Sequence, residues 1–206
     1  MQGFILSIRA IKNQDLILRI LTPHSILELY RFYGMRHSIL SVGKKIDFDV
    51  QNNGIFMSKL RNVAELNFSW EREYIRAYVW AIFIRSLADH LRDIVEVEPF
   101  YFELLEKGGI CLKKQNPMRV VLEMSSRLIV YEGRNARLHH NRCFVCNGRL
   151  DERVSLGRAF LFAHPECIGG DHFEKSKLLD FLDSSSTIHL DDSEIERLWS
   201  IFSLGL

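Results

Sequence analysis

The chain has 206 residues, of which 47% are apolar and 26% charged, and its formal net charge is +1. This is the composition of a globular protein with a buried core, and it excludes disorder over most of the chain. Four prolines and twelve glycines also exclude a collagen-like or proline-rich protein. No apolar run reaches the roughly 18 residues that cross a bilayer, and the N-terminus has no signal-peptide pattern. We therefore expect a cytoplasmic protein with no membrane partner.

The first sixty residues predict five short β-strands, in which β-branched and aromatic residues are frequent. The predicted strands cover residues 4–9, 16–21, 26–33, 42–50 and 55–57. Thr22-Pro23 and Asn52-Asn53-Gly54 are typical turn sequences between them. Five strands in so short a segment are typical of a small closed or partly closed barrel.

The pattern becomes helical after residue 69. Helices are predicted over residues 70–91, from 99 to 108, and over 116–131, 172–182 and 193–203. The first has apolar residues on more than one face, so we expect it to be largely buried. Asn116-Pro117 begins the third, because asparagine caps a helix and proline fits its first position. The second part of the chain is therefore predicted to be mostly helical.

Two pairs of metal-ligand residues interrupt this helical part. Cys143-Phe144-Val145-Cys146 is followed, after seventeen residues, by His164-Pro165-Glu166-Cys167. Each pair brackets two residues, so each can fold as a knuckle that points two donors at one ion. Three thiolates and an imidazole suit zinc in a closed structural site. We predict such a zinc, at full or partial occupancy, on Cys143, Cys146, His164 and Cys167 in an insert at about 143–170.

Other interpretations of these residues stay open. A Cys-x-x-Cys pair can be redox-active, but no βαβ pattern surrounds this one. His164-Pro165-Glu166 matches the His-x-Glu of zinc deaminases, although the order of the motifs is reversed. The alternative function is therefore a zinc-dependent hydrolase of nucleobases or amines, which would need an open metal position for water. Three buried thiols and a surface histidine without a metal are the remaining possibility.

Basic and aromatic residues interleave on the predicted strands. In barrels that bind single-stranded nucleic acid, cations follow the phosphates and rings stack on bases. Residues 1–150 have 22 Lys and Arg against 15 Asp and Glu, while residues 151–206 have 5 against 11, which favours an anionic partner for the first part. The candidate DNA-binding residues are Arg9, Arg19, Arg31, Arg36, Lys44 and Lys45.

A second basic segment covers residues 107–149, with nine basic against two acidic residues. We assign His139 and His140 to this basic surface rather than to the metal site. Two alternatives to DNA binding stay open for the barrel: the cations could protect solvated strand edges, or the barrel could bind a peptide.

The chain resembles the bacterial RecO family of recombination mediators in three features. The first is the N-terminal run of residues 3–9 and 15–23, and the second is Gly34-Met35-Arg36-His37-Ser38 after the third strand. The third is a helical domain interrupted by paired zinc knuckles. The chain differs from the family pattern where His164 replaces a common cysteine, and where Gly169-Gly170 follows rather than precedes the second knuckle.

The resemblance implies an α+β protein. It implies an OB-fold, nucleic-acid-binding domain, which we place at residues 1–68, and a helical domain with a structural zinc at residues 69–206. It implies a protein that is not an enzyme. Such proteins bind single- and double-stranded DNA and anneal complementary strands. They also contact the C-terminal tail of single-strand-binding protein and act with RecR to load RecA in repair.

Overall fold

The computed structural model describes residues 1–134 and 141–205. Contacts between elements divide the chain into two compact units, Met1–Lys114 and Gln115–Leu206. Within the described residues, no helix combines the length and the apolar character that crossing a membrane requires.

Five strands form the first part of the first unit. They are β1 (Gln2–Ala10), β2 (Leu16–Leu21), β3 (Ile26–Arg31), β4 (Lys45–Asn53) and β5 (Phe56–Glu65). They close a barrel in the order β1-β2-β3-β5-β4, in which only β3 and β5 pair in parallel. The barrel followed by a helical region confirms the predicted α+β fold class.

The barrel core consists of the inward-pointing side chains of each strand. Ile5, Leu18, Ile20, Phe48 and Leu60 are almost fully buried in it. This alternation is the period of two that the sequence shows, since successive strand residues point to opposite faces. Burial of these apolar side chains therefore fixes the register of the strands.

Every strand except β2 has an end that differs from the sequence prediction, and two of these ends have a local backbone feature beside them. The third strand stops at Arg31 because Tyr33 adopts a left-handed conformation, with φ of 49°, before a 3-10 turn at Gly34–Arg36. The fifth strand runs to Glu65 instead of ending at residue 57. The alternation of inward and outward side chains along this strand is interrupted at Asn62, which has φ of 46°. The alternating sequence pattern that predicts a strand is therefore weak in this stretch.

Two helices, α1 (Tyr74–His90) and α2 (Pro99–Cys111), complete the first unit. Two indole N–H groups connect these helices to neighbouring segments of the unit. Trp80 on α1 donates to the carbonyl of Gly43 at 3.0 Å, and Trp70 donates to the carbonyl of Gly109 on α2 at 2.6 Å. The ring of Phe4 on β1 packs 6.3 Å from that of Trp80. The strands end close to the predicted boundary at residue 68, but both helices belong to the same unit as the barrel.

The described residues of the second unit form four α-helices and a small sheet. The helices are α3 (Pro117–Tyr131), α4 (Pro165–Ile168), α5 (Lys175–Ser184) and α6 (Asp192–Phe202). Strands β6 (Arg153–Leu156), β7 (Phe162–Ala163) and β8 (Phe173–Glu174) pair in the order β7-β6-β8.

Side-chain caps begin two of these helices. The Asn116 side chain accepts hydrogen bonds from the first turn of α3, as predicted. Asp191 and Glu194 form a capping box at the start of α6. Both caps satisfy N–H groups that a helix leaves without a partner.

Candidate metal centre and nucleic-acid interface

The first knuckle is a tight turn closed by its own backbone. The N–H of Cys143 donates to the carbonyl of Gly148 at 2.9 Å, and the N–H of Asn147 donates to the carbonyl of Cys143 at 2.8 Å. Asn147 supplies the left-handed residue of the turn, with φ of 58°. The turn points the thiols of Cys143 and Cys146 toward one position.

The second pair lies where β7 passes into α4. His164 is the N-cap residue of α4, and Pro165 occupies the first helical position. The N–H of Cys167 donates to the carbonyl of His164 at 3.0 Å, which brings the two donors together. The N–H of Phe144 donates to the carbonyl of Phe162 at 3.0 Å and so joins the two pairs.

The four donor atoms form one cluster. They lie within 4.8 Å of one another. The Nδ1 atom of His164 is 3.3 Å from the Sγ of Cys146 and 3.7 Å from that of Cys167. A tetrahedral zinc, with bonds of about 2.3 Å to sulfur and about 2.0 Å to nitrogen, places such donors about 3.5 Å apart. The cluster therefore has the dimensions to hold a metal ion.

A backbone carbonyl fixes the His164 ring. Its Nε2 lies 2.9 Å from the carbonyl oxygen of Arg149, which can only accept a proton. Nε2 therefore holds a proton, which leaves Nδ1 as the nitrogen that would give up its proton to bind a metal. The Arg149 carbonyl and the Cys146 thiol raise the pKa of His164 to about 9.

The thiols differ in their tendency to ionise. Burial opposes ionisation of Cys143, but the N–H groups of Cys146, His164 and Val145 lower its pKa to about 6. Burial and the neighbouring thiols raise the pKa of Cys167 to about 11. Several thiolates cannot share so small a volume without a cation, and a bound metal supplies that charge.

Gly148 is a part of the metal centre that sequence reasoning missed. A Cβ at this position would lie 3.2 Å from the Cε1 of His164 and 3.3 Å from the Sγ of Cys146. Glycine leaves both side chains undisturbed, whereas a Cβ would press on each of them. The spacing of Gly148 two residues after Cys146 is the sequence signal that could have identified it.

The metal centre has four protein donors. A tetrahedral ion bound by all four has no open position for a water molecule. The hydrolase alternative needs such a position. The donor set therefore favours a structural metal.

Three of the six candidate DNA-binding residues are engaged by the protein itself. Arg19 donates to the carbonyls of Leu91 and Ile94 at 2.8 and 3.2 Å, where α1 ends. Lys44 forms ion pairs with Glu71 and Glu65, and Lys45 forms one with Glu106. The structure therefore gives these three cations internal partners.

The other three, Arg9, Arg31 and Arg36, have no carboxylate partner within residues 1–134 and 141–205. Arg9 is exposed on β1. Arg31 donates to the carbonyl of Leu60 at 3.0 Å, while its buried Nε has no hydrogen-bond partner in the described part of the chain. The guanidinium of Arg36 lies 4.9 Å from the ring centre of Tyr33.

Two further cations on β5 extend this surface. The ammonium of Lys59 lies 5.0 Å from the ring centre of Phe32. Arg61 lies close enough to Arg31 that burial and the charge of Arg61 together lower the pKa of Arg31. Sequence reasoning missed both because it ended the fifth strand too early. We call this surface the aromatic–cation surface; it consists of Arg31, Phe32, Tyr33, Arg36, Lys59 and Arg61.

Three of the eight basic residues that the structure describes in the second basic segment form ion pairs. Lys107 pairs with Glu103, Arg119 with Asp192, and Arg134 with Glu132. The predicted basic-surface residues His139 and His140 lie outside the described residues.

The comparisons with known proteins concern the barrel. Residues 1–71 match a family model described as RecO N terminal. No curated protein sequence matches the chain.

Proposed function

We propose that the chain, whose residues 1–71 match the RecO N-terminal model, is a DNA-binding recombination mediator of the RecO family. It binds single- and double-stranded DNA and anneals complementary strands in the cytoplasm. With RecR it helps to load RecA onto DNA that is coated by single-strand-binding protein. The observation that supports this proposal most directly is the aromatic–cation surface of the barrel.

This surface has both elements that single strands require. Phe32 and Tyr33 are about half exposed and offer ring faces to bases. Arg36 and Lys59 lie over these rings and have no carboxylate partner among the described residues. Contacts with phosphates and ring faces are the same for every base, so we expect binding with little sequence preference.

Annealing needs a protein that neutralises two polyanions without holding either tightly. The few unpaired cations of the aromatic–cation surface suit weak, salt-sensitive contacts. Removing carboxylate-paired lysines such as Lys44 would change these contacts little. The same property lets the two strands leave as a duplex after pairing.

A cavity in the second unit suits the tail of single-strand-binding protein. It has a volume of about 490 Å³ and is lined by apolar side chains that include Phe144, Phe160 and Leu161. Arg134 and Arg142 also line it. An acidic tail with an apolar end would place its end in the cavity and its carboxylates near the arginines. The proposed roles of RecR and RecA rest on the family alone.

The metal in this proposal is a structural zinc. Cys143, Cys146, His164 and Cys167 would hold it, and it would join the first knuckle to the segment between β7 and α4. The strands here are two and four residues long, and β6 pairs with β7 and with β8 over two residue pairs each. A zinc ion would supply much of the stability of this part.

The proposal is tested by titrating a labelled single-stranded oligonucleotide with the full chain at several salt concentrations and following anisotropy. We expect the logarithm of the binding constant to fall linearly with the logarithm of salt concentration. Oligonucleotides of different sequence should bind alike. Absence of binding at low salt would contradict direct DNA contact by this chain.

A further inference from the structure

The hairpin between β4 and β5 has an unusual tip. Ile55 is 96% exposed, Phe56 69% and Met57 39%. Turns on a protein surface normally carry polar residues, and three consecutive exposed apolar side chains mark an interaction site. Gly54 has φ of 61°, and a Cβ built there would contact nothing within 4 Å, so the tip is open to solvent.

The tip projects beyond the barrel core. Leu60 on β5 is buried in that core and pairs with Val50 on β4. From Leu60 toward the tip, the side chains of Phe56 and Met57 are exposed. The backbone stays paired as far as Asn53 and Phe56. The apolar side chains are therefore held on a paired hairpin.

The residues around the tip are positively charged, which favours a negatively charged partner. Residues 50–64 include Lys59 and Arg61 but no aspartate or glutamate. Asp49, opposite Arg61 on β4, accepts a hydrogen bond from Asn62. Neither cation has a carboxylate partner in the part of the chain that the structure describes. The Nε of Arg61 donates to the side-chain oxygen of Gln51 at 2.8 Å, which holds its charge beside the hairpin. An apolar tip in a positive field suits a polyanion with apolar faces, which is the chemistry of an unpaired nucleic acid strand.

The tip is also continuous with the aromatic–cation surface. Lys59 lies on the same strand as the tip, two residues after Met57, and pairs across the hairpin with Gln51. Its ammonium contacts the ring of Phe32. A strand whose phosphates follow Lys59 and Arg61 would bring its bases to the hairpin.

We propose that this tip is a wedge for unpaired bases, in which Phe56 stacks against or between bases while Ile55 and Met57 cover their edges. This inference rests on the proposed function and specifies the form of DNA that the barrel prefers. Apolar side chains enter a base stack readily where bases are already separated, whereas intact duplex must first be unstacked. The tip therefore favours single strands over duplex.

The test compares Phe56→Ala with wild-type full chain on a single-stranded oligonucleotide and on the blunt duplex of the same sequence. We expect the affinity for the single strand to fall roughly tenfold, the size of one lost base-stacking contact, and the affinity for duplex to stay unchanged. Phe56→Trp should retain single-strand affinity. Ile188→Ala is the matched control, because it removes a 77% exposed apolar side chain from the second unit.

If Phe56→Ala lost equal affinity for single strand and duplex, or lost affinity for neither, the proposed wedge role would be wrong. Weaker binding of Phe56→Ala to purified RecR, with single-strand affinity unchanged, would assign the tip to a protein partner and would also overturn it. Failure of the wild-type chain to bind either DNA at low salt would contradict the proposed function as well. Circular dichroism melting of each variant checks that its fold is retained.

Discussion

The Asp15 carboxylate accepts a hydrogen bond from the backbone N–H of Tyr33 at 2.7 Å. Its other oxygen accepts one from the hydroxyl of Tyr30. Asp15 is buried and has no basic partner within the described residues. A buried carboxylate of this kind is tolerated because its hydrogen bonds replace those to water. The result is a fixed turn that presents Tyr33 and Arg36 on the aromatic–cation surface.

Asp15→Ala should weaken both the fold and DNA binding. Loss of two hydrogen bonds to a charged group should lower the free energy of unfolding by about 2–4 kcal/mol. Single-strand affinity should fall as well, because Tyr33 and Arg36 lose their fixed positions. Urea unfolding and oligonucleotide anisotropy measure the two effects. Asp89→Ala, which removes an exposed carboxylate from α1, should change neither by much.

The Tyr30 contact should make stability depend on pH in the alkaline range. The hydrogen bond to Asp15, then burial and the Asp15 charge, raise the pKa of Tyr30 above its usual value of 10.0. The stability from this contact is fully present below pH 10.0 and is lost as pH rises through the raised pKa. The difference in unfolding free energy between wild type and Tyr30→Phe should therefore shrink as the pH rises above 10.0 through the raised pKa. A difference that stays constant with pH would contradict this assignment.

Arg36→Ala and Lys44→Ala each remove one positive charge and should have different effects on DNA binding. Arg36 is exposed and has no carboxylate partner in the described part of the chain, so its loss should reduce the slope of log affinity against log salt by about 1. Lys44 is already neutralised by Glu71 and Glu65, so its loss should leave the slope unchanged. Anisotropy titrations at several salt concentrations measure both slopes. Equal slopes for the two variants would exclude a specific role for Arg36.

Cys143→Ser should release the metal. Cys143 is the buried donor of the cluster and accepts hydrogen bonds from Val145 and His164 N–H groups. Zinc content, measured with a chromogenic chelator after denaturation, should fall to a small fraction of the wild-type value. Urea unfolding should also lose cooperativity. Cys111→Ser is the control, since Cys111 lies in the first unit, outside the cluster. Unchanged metal content and cooperativity in Cys143→Ser would contradict a structural zinc.

Gly148→Ala should weaken metal binding without removing a donor. The added methyl group would press on the His164 ring and the Cys146 sulfur. Changes beside metal ligands typically cost tenfold or more in affinity, and we expect roughly that loss for zinc. Competition with a chelator of known affinity measures it. Gly148→Ser, with a larger side chain, should bind zinc more weakly than Gly148→Ala, and the opposite order would argue against the steric explanation.

The features that local sequence determines were predicted well. Strand periodicity predicted the barrel, and the spacing of Cys143 and Cys146 and of His164 and Cys167 selected four residues whose donor atoms lie within 4.8 Å of one another. Their role as metal ligands stays a prediction. The Asn116 cap was also predicted, because capping depends only on neighbouring residues. Each of these features is decided within a few residues of the chain.

The features that depend on packing between distant segments were not predicted. Lys44 and Lys45 look like DNA contacts in the sequence, but their carboxylate partners follow 27 and 61 residues later. Arg19 similarly meets its carbonyl partner 72 residues away. Tertiary structure therefore decides which cations remain without a carboxylate partner. Lys59 and Arg61 were recognised as candidates only when the full length of β5 was known.

The indole of Trp80 leaves no room for a side chain at Gly43, where a Cβ would lie 2.9 Å from it. Phe4, on the adjacent β1, is fully covered and has the rings of Trp80 and Phe102 beside it. β1 therefore has apolar side chains buried on both of its faces. A protein cut after residue 68 would expose one of these faces to water and lose its solubility. The shortest N-terminal fragment that we expect to fold with its apolar surface covered thus ends at Lys114, beyond the last strand of the barrel.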